Sequence, residues 1–338
     1  MKFKFIDLFA GIGGIRIAFE RNGGKCVFTS EFDEQCQKMY EANFGEKPSG
    51  DITKINAEDI PDHDILAGGF PCQPFSIIGN GQGFADTRGT LFFDVERIIK
   101  AKQPKAFLLE NVKRLVSHDN GRTFKTILQK LEDLGYYVHY KILNGLNFGV
   151  PQKRERIVIV GFKENYPFEF PTNGEKIKTL KDILEPEEKI DKKHFLSAYF
   201  SKKLETKLEE QGKRRPDFPS VWHENKSGNI GIHPFSCALR ANGSYNYLVV
   251  DGKRRLTPRE MLRLQGFPDS FKIVVPDTQA RKQAGNSVVV PKIQAVAKAM
   301  LQAMAQEPQP ELEQSNMFKI ITETRQQKEV MDDSLVYA

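Results

Sequence analysis

Short apolar runs alternate with stretches of helical periodicity through the first half of the chain. The predicted strands lie near 3–9, 25–30, 63–67, 105–109 and 156–161. The predicted helices lie near 13–22, 33–44, 91–102 and 122–134. This alternation is typical of a doubly wound α/β fold with a mostly parallel sheet, in which ligands bind at the carboxyl ends of the strands.

The alternation ends after Pro171, where prolines, glycines and charge runs predict a smaller, irregular second domain. Near the end, the apolar periodicity predicts one long helix over Gln283–Met304. The polar, acidic segment that follows Glu307 is typical of a flexible tail.

The net charge of +6 is unevenly distributed along the 338 residues. Residues 171–255 hold 17 Lys and Arg against 12 Asp and Glu, whereas 306–338 hold 3 against 7. A basic segment with the aromatic residues Trp222, Tyr245 and Tyr247 is typical of a surface that meets phosphates. Runs of mixed sign, such as Lys207-Leu208-Glu209, fit a solvated helix face equally well.

No run approaches the ~18 consecutive apolar residues of a membrane span. The first four residues lead directly into a strand, so we expect no signal peptide. The four cysteines show neither metal-ligand spacing nor a disulfide framework, so we expect no metal and a reducing cytoplasm.

The cysteine at position 72 stands out because it directly follows Pro71, just after the apolar run Ile65-Leu66-Ala67. Proline fixes φ, so the turn holds the thiol at one angle above the sheet. Cys72 could also be an ordinary buried cysteine. However, Glu110 and the pair Arg154 and Arg156 follow downstream. Thiol, carboxylic acid and guanidinium are suited to attack an electron-poor heterocycle and to hold the resulting charge.

The first predicted strand leads into a glycine turn and a helix, an arrangement typical of nucleotide sites. Glu31 follows about 20 positions after the glycines, where an acidic residue binds a ribose diol. A dinucleotide-binding oxidoreductase would share these features, but Arg16 stands where its glycine fingerprint requires glycine. The turn therefore favours adenosine without a pyrophosphate, which points to S-adenosylmethionine.

Seven motifs occur in one order along the chain: Asp7–Gly14, Phe70–Gln73, Arg88–Phe92, Glu110–Val112, Gln152–Arg156, Arg255–Glu260 and Gly285–Val288. Over residues 3–304, apart from a variable stretch, the chain resembles the bacterial DNA (cytosine-5)-methyltransferases of type II restriction-modification systems. The resemblance implies a methyltransferase fold that uses S-adenosylmethionine. It also implies a catalytic and cofactor-binding domain of 1–175 plus 283–304, a target-recognition domain of 176–282, and a flexible acidic tail of 305–338.

The resemblance implies a covalent mechanism on a cytosine that is flipped out of the duplex. Cys72, presented by Pro71, attacks C6, and Glu110 gives a proton to N3. Asn111 fixes the turn after Glu110. Arg156 binds O2, with Arg154 close by, and their positive charge favours the thiolate.

The resemblance also implies a set of cofactor contacts. Phe9 and Phe32 enclose the adenine, although the family usually has tryptophan at position 32. Glu31 binds the ribose, and Asp51 and Ile52 meet the adenine. The remaining expected contacts are the turn residues Ala10, Gly11, Gly13 and Gly14, and at the methionine end Leu91, Asn286 and Ser287.

For DNA, the glycine-rich stretch Ser76–Thr90 is expected to be a lid. The resemblance implies that residue 78 enters the gap beside the flipped base, although relatives often have a small polar residue there and the side chain of Ile78 has no hydrogen-bonding group. Two loops, Trp222–Ile232 and Arg240–Tyr247, are expected to read the bases. The expected DNA-binding residues are Ile78, Arg88, Trp222, Asn225, Ser227, Arg240, Asn242, Ser244 and Tyr245.

The resemblance thus predicts a monomeric enzyme that methylates C5 of cytosine in one double-stranded DNA sequence. It is expected in the bacterial cytoplasm, associated with the nucleoid through DNA, with a cognate restriction endonuclease as functional rather than physical partner. One alternative is methylation of cytosine in transfer RNA. Another is an inactive DNA-binding regulator, which predicts loss of Cys72, Glu110 or the glycine turn, and all three are intact.

Overall fold

The computed structural model describes residues 2–71, 91–174, 178–225, 227–243 and 247–310. The strands are β1 Phe3–Leu8, β2 Gly24–Ser30, β3 Ile65–Gly68, β4 Ala106–Val112, β5 Tyr137–Asn144, β6 Gln152–Lys153, β7 Glu155–Phe162, β8 Val221–Glu224, β9 Ile230–His233, β10 Ser236–Cys237, β11 Val249–Val250 and β12 Arg254–Arg255. The helices are α1 Gly14–Glu20, α2 Glu34–Phe44, α3 Phe92–Lys102, α4 Arg122–Asp133, α5 Leu180–Ile183, α6 Ala198–Glu210, α7 Pro258–Leu264, α8 Asp277–Asn286 and α9 Val290–Met304. No helix within these ranges is long and apolar enough to cross a membrane.

Six strands form the main sheet in the order β2-β1-β3-β4-β7-β5. The neighbours from β2 to β4 are parallel, and β7 runs antiparallel to both β4 and β5. β3 and all but the last residue of β4 are buried, as expected for strands covered on both faces. The predicted doubly wound, mostly parallel fold is confirmed.

The sequence patterns missed β5, which forms one edge of the main sheet. Tyr140 and Ile142 on this strand are exposed, and polar residues interrupt its apolar positions. An edge strand of this kind has no continuous apolar run, which was the signal that identified the central strands.

The single helix predicted over Gln283–Met304 is wrong, because the chain forms two helices with a break over 287–289. Pro291 lies in the first turn of α9, where its missing N–H costs nothing, whereas in one continuous helix it could not donate to the carbonyl of Ser287 and its ring would clash with that carbonyl. α9 packs against α1, and the Asn22 side chain donates a hydrogen bond of 3.0 Å to the Gln294 carbonyl. The end of the chain thus returns beside the first helix.

Residues 178–282 are called the second region below. They contain a smaller antiparallel sheet, ordered β12-β11-β8-β9, which packs with α6. Trp222 is central to this small core: it is only 2 % exposed, and its Nε1 donates to Ser220 Oγ at 3.0 Å. The prediction that Trp222 reads DNA is therefore wrong, because its indole is enclosed by Leu204, Leu208 and Val249. Aromatic residues of this size stabilise cores as readily as they build interfaces.

The two regions are joined through Gln152 on β6. β6 pairs in parallel with β10, and the Gln152 side chain accepts from the Leu239 N–H at 3.0 Å and donates to the Leu264 carbonyl at 2.8 Å. These buried hydrogen bonds fix the second region against the main sheet beside the carboxyl ends of its strands.

Candidate active site

A cavity of about 470 Å³ opens where the central parallel strands end. Its wall is built by the segments that follow β1, β2 and β3, by the end of β4, and by the junction of α8 and α9. The predicted site residues that line it are Phe9, Ala10, Gly11, Gly14, Glu31, Phe32, Asp51, Ile52, Pro71, Leu91, Glu110, Asn111, Arg154, Arg156, Asn286 and Ser287. The cavity volume lies within the usual range for small-molecule sites.

The turn between β1 and α1 has an unusual backbone. Phe9 has a φ of 57°, a left-handed conformation that is strained for a bulky residue. Gly13 has a φ of 82°, and a Cβ at this position would lie 2.3 Å from the Phe44 ring. Gly13 is not part of the cavity wall, but glycine there lets the chain turn sharply and bring its backbone to the cavity.

Glu31 connects the end of β2 with this turn. Its Oε2 accepts from the Gly11 N–H at 2.8 Å, and its Oε1 accepts from the Asp33 N–H at 2.8 Å. Burial raises the pKa of this carboxyl. The next residue, Phe32, is 69 % exposed, so an aromatic face stands open at the edge of the cavity.

Asp51 and Ile52 form another part of the wall. Asp51 caps a short 3₁₀ turn by accepting from the Thr53 N–H at 3.1 Å, and Ile52 is buried beneath it. Leu91, Asn286 and Ser287 also line the cavity.

Glu110 lies near the end of β4 and is 7 % exposed. Its Oε1 lies 3.6 Å from Arg156 Nε and 3.7 Å from Lys292 Nζ. These are ion-pair distances, and Oε1 accepts no hydrogen bond from the described residues. A carboxyl group between two cations therefore faces the cavity.

Asn111 fixes the chain that follows β3. Its Nδ2 donates to the Phe70 carbonyl at 2.9 Å, and its Oδ1 accepts from the Val112 N–H at 2.7 Å. This contact places Pro71 beside Glu110 in the cavity wall. Cys72, Ile78 and Arg88, and the predicted lid over 76–90, lie outside the described residues.

Arg154 lines the same cavity as Arg156, and its guanidinium contacts the main chain. It is 2 % exposed and donates to the carbonyls of Leu239, Gly285 and Ser287 at 2.8, 2.9 and 2.8 Å. Burial lowers its pKa to about 9. Arg154 therefore fastens the second region and the α8–α9 junction to the sheet, and Arg156 is the arginine beside Glu110.

Lys292 was missed by the sequence analysis. It is completely buried on α9, burial lowers its pKa to about 8, and its Nζ has no hydrogen-bond partner among the described residues. The signal was present, because Lys292 shares a helical stripe with Val296 and Met300, both completely buried. A lysine in an apolar stripe was a candidate for burial.

The predicted reading loops lie on the second region. Asn225 Oδ1 accepts from the N–H groups of Ser227 and Asn229, so its side chain shapes the exposed turn between β8 and β9. Arg240 and Asn242 are exposed, whereas Ser244 and Tyr245 lie outside the described residues.

The loop that starts at Arg240 lies directly against the cavity wall. A Cβ on Gly285 would lie 2.4 Å from the backbone of Arg240 and Ala241, so only glycine permits this approach. The guanidinium of Arg240 lies 6.0 Å from the centre of the Tyr247 ring. An exposed cation is thus presented next to the cavity.

The chain is similar to known methyltransferases over most of its length. The family model for C-5 cytosine-specific DNA methylases matches residues 3–302. The chain is 60% identical over 303 residues to the Type II methyltransferase M.HaeII of Haemophilus aegyptius, covering 90% of this chain and 94% of that protein. It is 60% identical over 296 residues to the Type II methyltransferase M.NgoBI of Neisseria gonorrhoeae, covering 88% and 92%. A crystal structure of a Spodoptera frugiperda DNMT2 mutant has the same fold, with a TM-score of 0.67 at 20% identity over 90% of this chain and 99% of that chain.

The chain therefore belongs to the C-5 cytosine-specific DNA methylase family and is a DNA cytosine-5 methyltransferase.

Proposed function

We propose that this enzyme transfers a methyl group from S-adenosylmethionine to C5 of a flipped-out cytosine in one double-stranded DNA sequence, through a covalent bond between Cys72 and C6. The observation that carries the proposal is the shared cavity. Its wall combines Glu31 and the exposed ring of Phe32 with Glu110, Arg156 and the residue that precedes Cys72.

The cavity wall carries side chains suited to each part of S-adenosylmethionine, which supports it as the cofactor. Phe9 and Phe32 offer aromatic faces for adenine, with Asp51 and Ile52 at its edge. Glu31 binds the ribose hydroxyls, and the wall at Leu91, Asn286 and Ser287 receives the methionine end. The bound cofactor supplies the methyl group on a sulfonium, a form that a carbon nucleophile can attack.

The residues that contact the target cytosine then act in a defined order. The Cys72 thiolate bonds to C6 while Glu110 gives a proton to N3 and Arg156 binds O2, so C5 becomes nucleophilic. After the methyl group has bonded to C5, C5 loses its proton to solvent. The C5–C6 double bond then re-forms as the Cys72 thiolate leaves, and N3 returns its proton to Glu110. Because Glu110 is nearly buried, the base reaches it only by leaving the stack.

The direct test begins with bisulfite sequencing of DNA from a host that expresses this chain, which maps the methylated site. DNA with 5-fluorocytosine at that position should trap a covalent adduct on Cys72, because fluorine cannot leave as a proton does. Cys72→Ser should abolish both adduct and methyl transfer, whereas the control Cys237→Ser should keep them. Mass spectrometry that finds the adduct on another cysteine would refute the mechanism.

We further propose that a monomer modifies the DNA and thereby protects it from a cognate restriction endonuclease, a functional rather than physical partner. The Type II relatives do not favour the transfer-RNA alternative. DNA from expressing cells should resist an endonuclease that cuts the mapped sequence. Methylation of transfer RNA but not of DNA in the same assay would support the alternative.

Sequence recognition is proposed to reside in 176–282. This segment is basic, and its exposed Arg240 stands next to the cavity. Grafting the segment from a relative that reads another sequence should transfer that specificity. A chimera that still methylates the parent's site would place recognition elsewhere.

A further inference from the structure

Lys292 is a buried ammonium group that the fold does not neutralise with hydrogen bonds. It is 0% exposed, and its Nζ has no hydrogen-bond partner among the described residues. Burying an ammonium without such partners lowers the stability of a fold. An apolar residue in this stripe of α9 would avoid that loss of stability, so we expect the charge of Lys292 to have a function.

The charged groups that face Lys292 are Glu110, Arg154 and Arg156, and we call this part of the cavity wall the catalytic wall. Glu110 on β4 is 3.7 Å away, measured from Oε1 to Nζ, and Arg154 and Arg156 also act on its charge. Lys292 and Arg156 meet the same carboxyl oxygen, Oε1, which is buried.

We propose that Lys292 is a positioning residue for Glu110: its ammonium holds Oε1 and stabilises the carboxylate that forms when Glu110 gives its proton to cytosine N3. The inference rests on the proposed function, in which Glu110 is that proton donor. Carboxylate charge develops during proton transfer, so a fixed, buried cation beside it lowers the barrier. When the thiolate later leaves, the proton returns from N3 to Glu110, and Lys292 is unchanged.

The first test replaces Lys292 by methionine, which has a similar length and no charge. Lys292→Met should lower the single-turnover rate of methyl transfer roughly 10-fold, a part of the ~100-fold or more that a positioned general acid supplies. Its melting temperature and its Kd for S-adenosylmethionine should not worsen. The matched control is Lys298→Met, on the exposed face of the same helix, which should keep the wild-type rate.

A double-mutant cycle with Glu110→Gln separates action through Glu110 from a general effect. Lys292→Met should slow the wild type but cause no further loss in the Glu110→Gln background. Independent, additive losses would overturn the inference. Lys292→Gln serves as a second uncharged variant, and failure of both variants to fold would assign Lys292 a purely structural role and also overturn it.

The pH profile gives a readout that a packing defect would not change. Burial lowers the pKa of Lys292 to about 8, so the wild-type rate should fall above that pH as the ammonium loses its charge. The Lys292→Met enzyme should lack this fall, while the contributions of Cys72, Arg154 and Arg156 remain in both proteins. Identical profiles would contradict the inference. A nearly normal Glu110→Gln enzyme would instead refute the proposed role of Glu110, which distinguishes the two failures.

Discussion

Two nearly inaccessible carboxylates of this enzyme, Glu260 and Glu110, differ in how they are hydrogen-bonded. Glu260 in the second region is 0% exposed and accepts four hydrogen bonds: two from Arg254, at 2.9 and 2.8 Å, and one each from the N–H groups of Thr257 and Glu185, both at 2.9 Å. Glu110 in the catalytic wall is 7 % exposed, and its cations stand at 3.6 and 3.7 Å without hydrogen-bonding Oε1.

The number of hydrogen bonds accepted by each carboxylate distinguishes Glu260, which stabilises the fold, from Glu110, which we propose acts in catalysis. A fully satisfied buried network fixes one local structure, and at Glu260 it combines a capping box on α7 with an ion pair. A carboxyl with unused hydrogen-bonding capacity costs stability, and it can bind a substrate atom. The same charge pairing therefore serves different purposes in the two regions.

The largest loss of stability is expected when the ion pair between Arg254 and Glu260 is broken. Glu260→Ala leaves the Arg254 guanidinium buried without its partner, which should lower the free energy of unfolding by about 3–5 kcal/mol. Denaturant unfolding followed by circular dichroism measures this loss. A loss below about 1 kcal/mol would mean that Glu260 contributes no more than an exposed pair.

At the catalytic wall, the effect should appear in the rate rather than in stability. Glu110→Gln keeps the shape of the side chain but cannot supply the proton that we propose Glu110 gives to N3, so single-turnover methyl transfer should slow ~100-fold or more. Its free energy of unfolding should stay within about 1 kcal/mol of the wild type, because Oε1 makes no hydrogen bond that is lost. Destabilisation equal to that of Glu260→Ala would remove the distinction between the two sites.

Replacing both Arg254 and Glu260 tests how much of the loss in stability comes from the unpaired charge. Arg254→Met with Glu260→Leu removes the uncompensated charge, so stability should be higher than in Glu260→Ala alone. It should remain about 1–3 kcal/mol below the wild type, because the N–H groups of Thr257 and Glu185 lose their acceptor. Full recovery in the same unfolding measurement would show that these two hydrogen bonds contribute nothing.

The smallest effect is expected at an exposed pair of equally good geometry. Arg263 binds both carboxylate oxygens of Asp269 at 2.7 and 2.9 Å, but Asp269 is 65% exposed in its side chain. Asp269→Asn should cost less than about 1 kcal/mol. The hydrogen bond from Arg263 lowers the pKa of Asp269, so this contribution is present at neutral pH and disappears as the pH falls through that lowered pKa. The difference in unfolding free energy between variant and wild type should therefore vanish in acid.

The central architecture and much of the cavity wall follow from local patterns in the sequence. Continuous apolar strands alternate with amphipathic helices, and the chain must place their carboxyl ends at one edge of the sheet. Residues that directly follow those strands, such as Phe9, Glu31 and Pro71, consequently meet there. Local pattern was sufficient because the strand itself fixes where the next residue lies.

Tertiary structure decided the features in which local pattern is ambiguous. An aromatic residue such as Trp222 can read DNA or fill a core, and only α6 and the small sheet packed around it settled which. Arg154 and Arg156 are two positions apart, yet the carbonyls of Leu239, Gly285 and Ser287 engage one and leave the other beside Glu110. The helical period marked Lys292 as a candidate for burial, but only the tertiary structure placed its Nζ 3.7 Å from Glu110 Oε1. Charge pairing depends on which distant surfaces meet, and the period of a single helix or strand does not specify those partners.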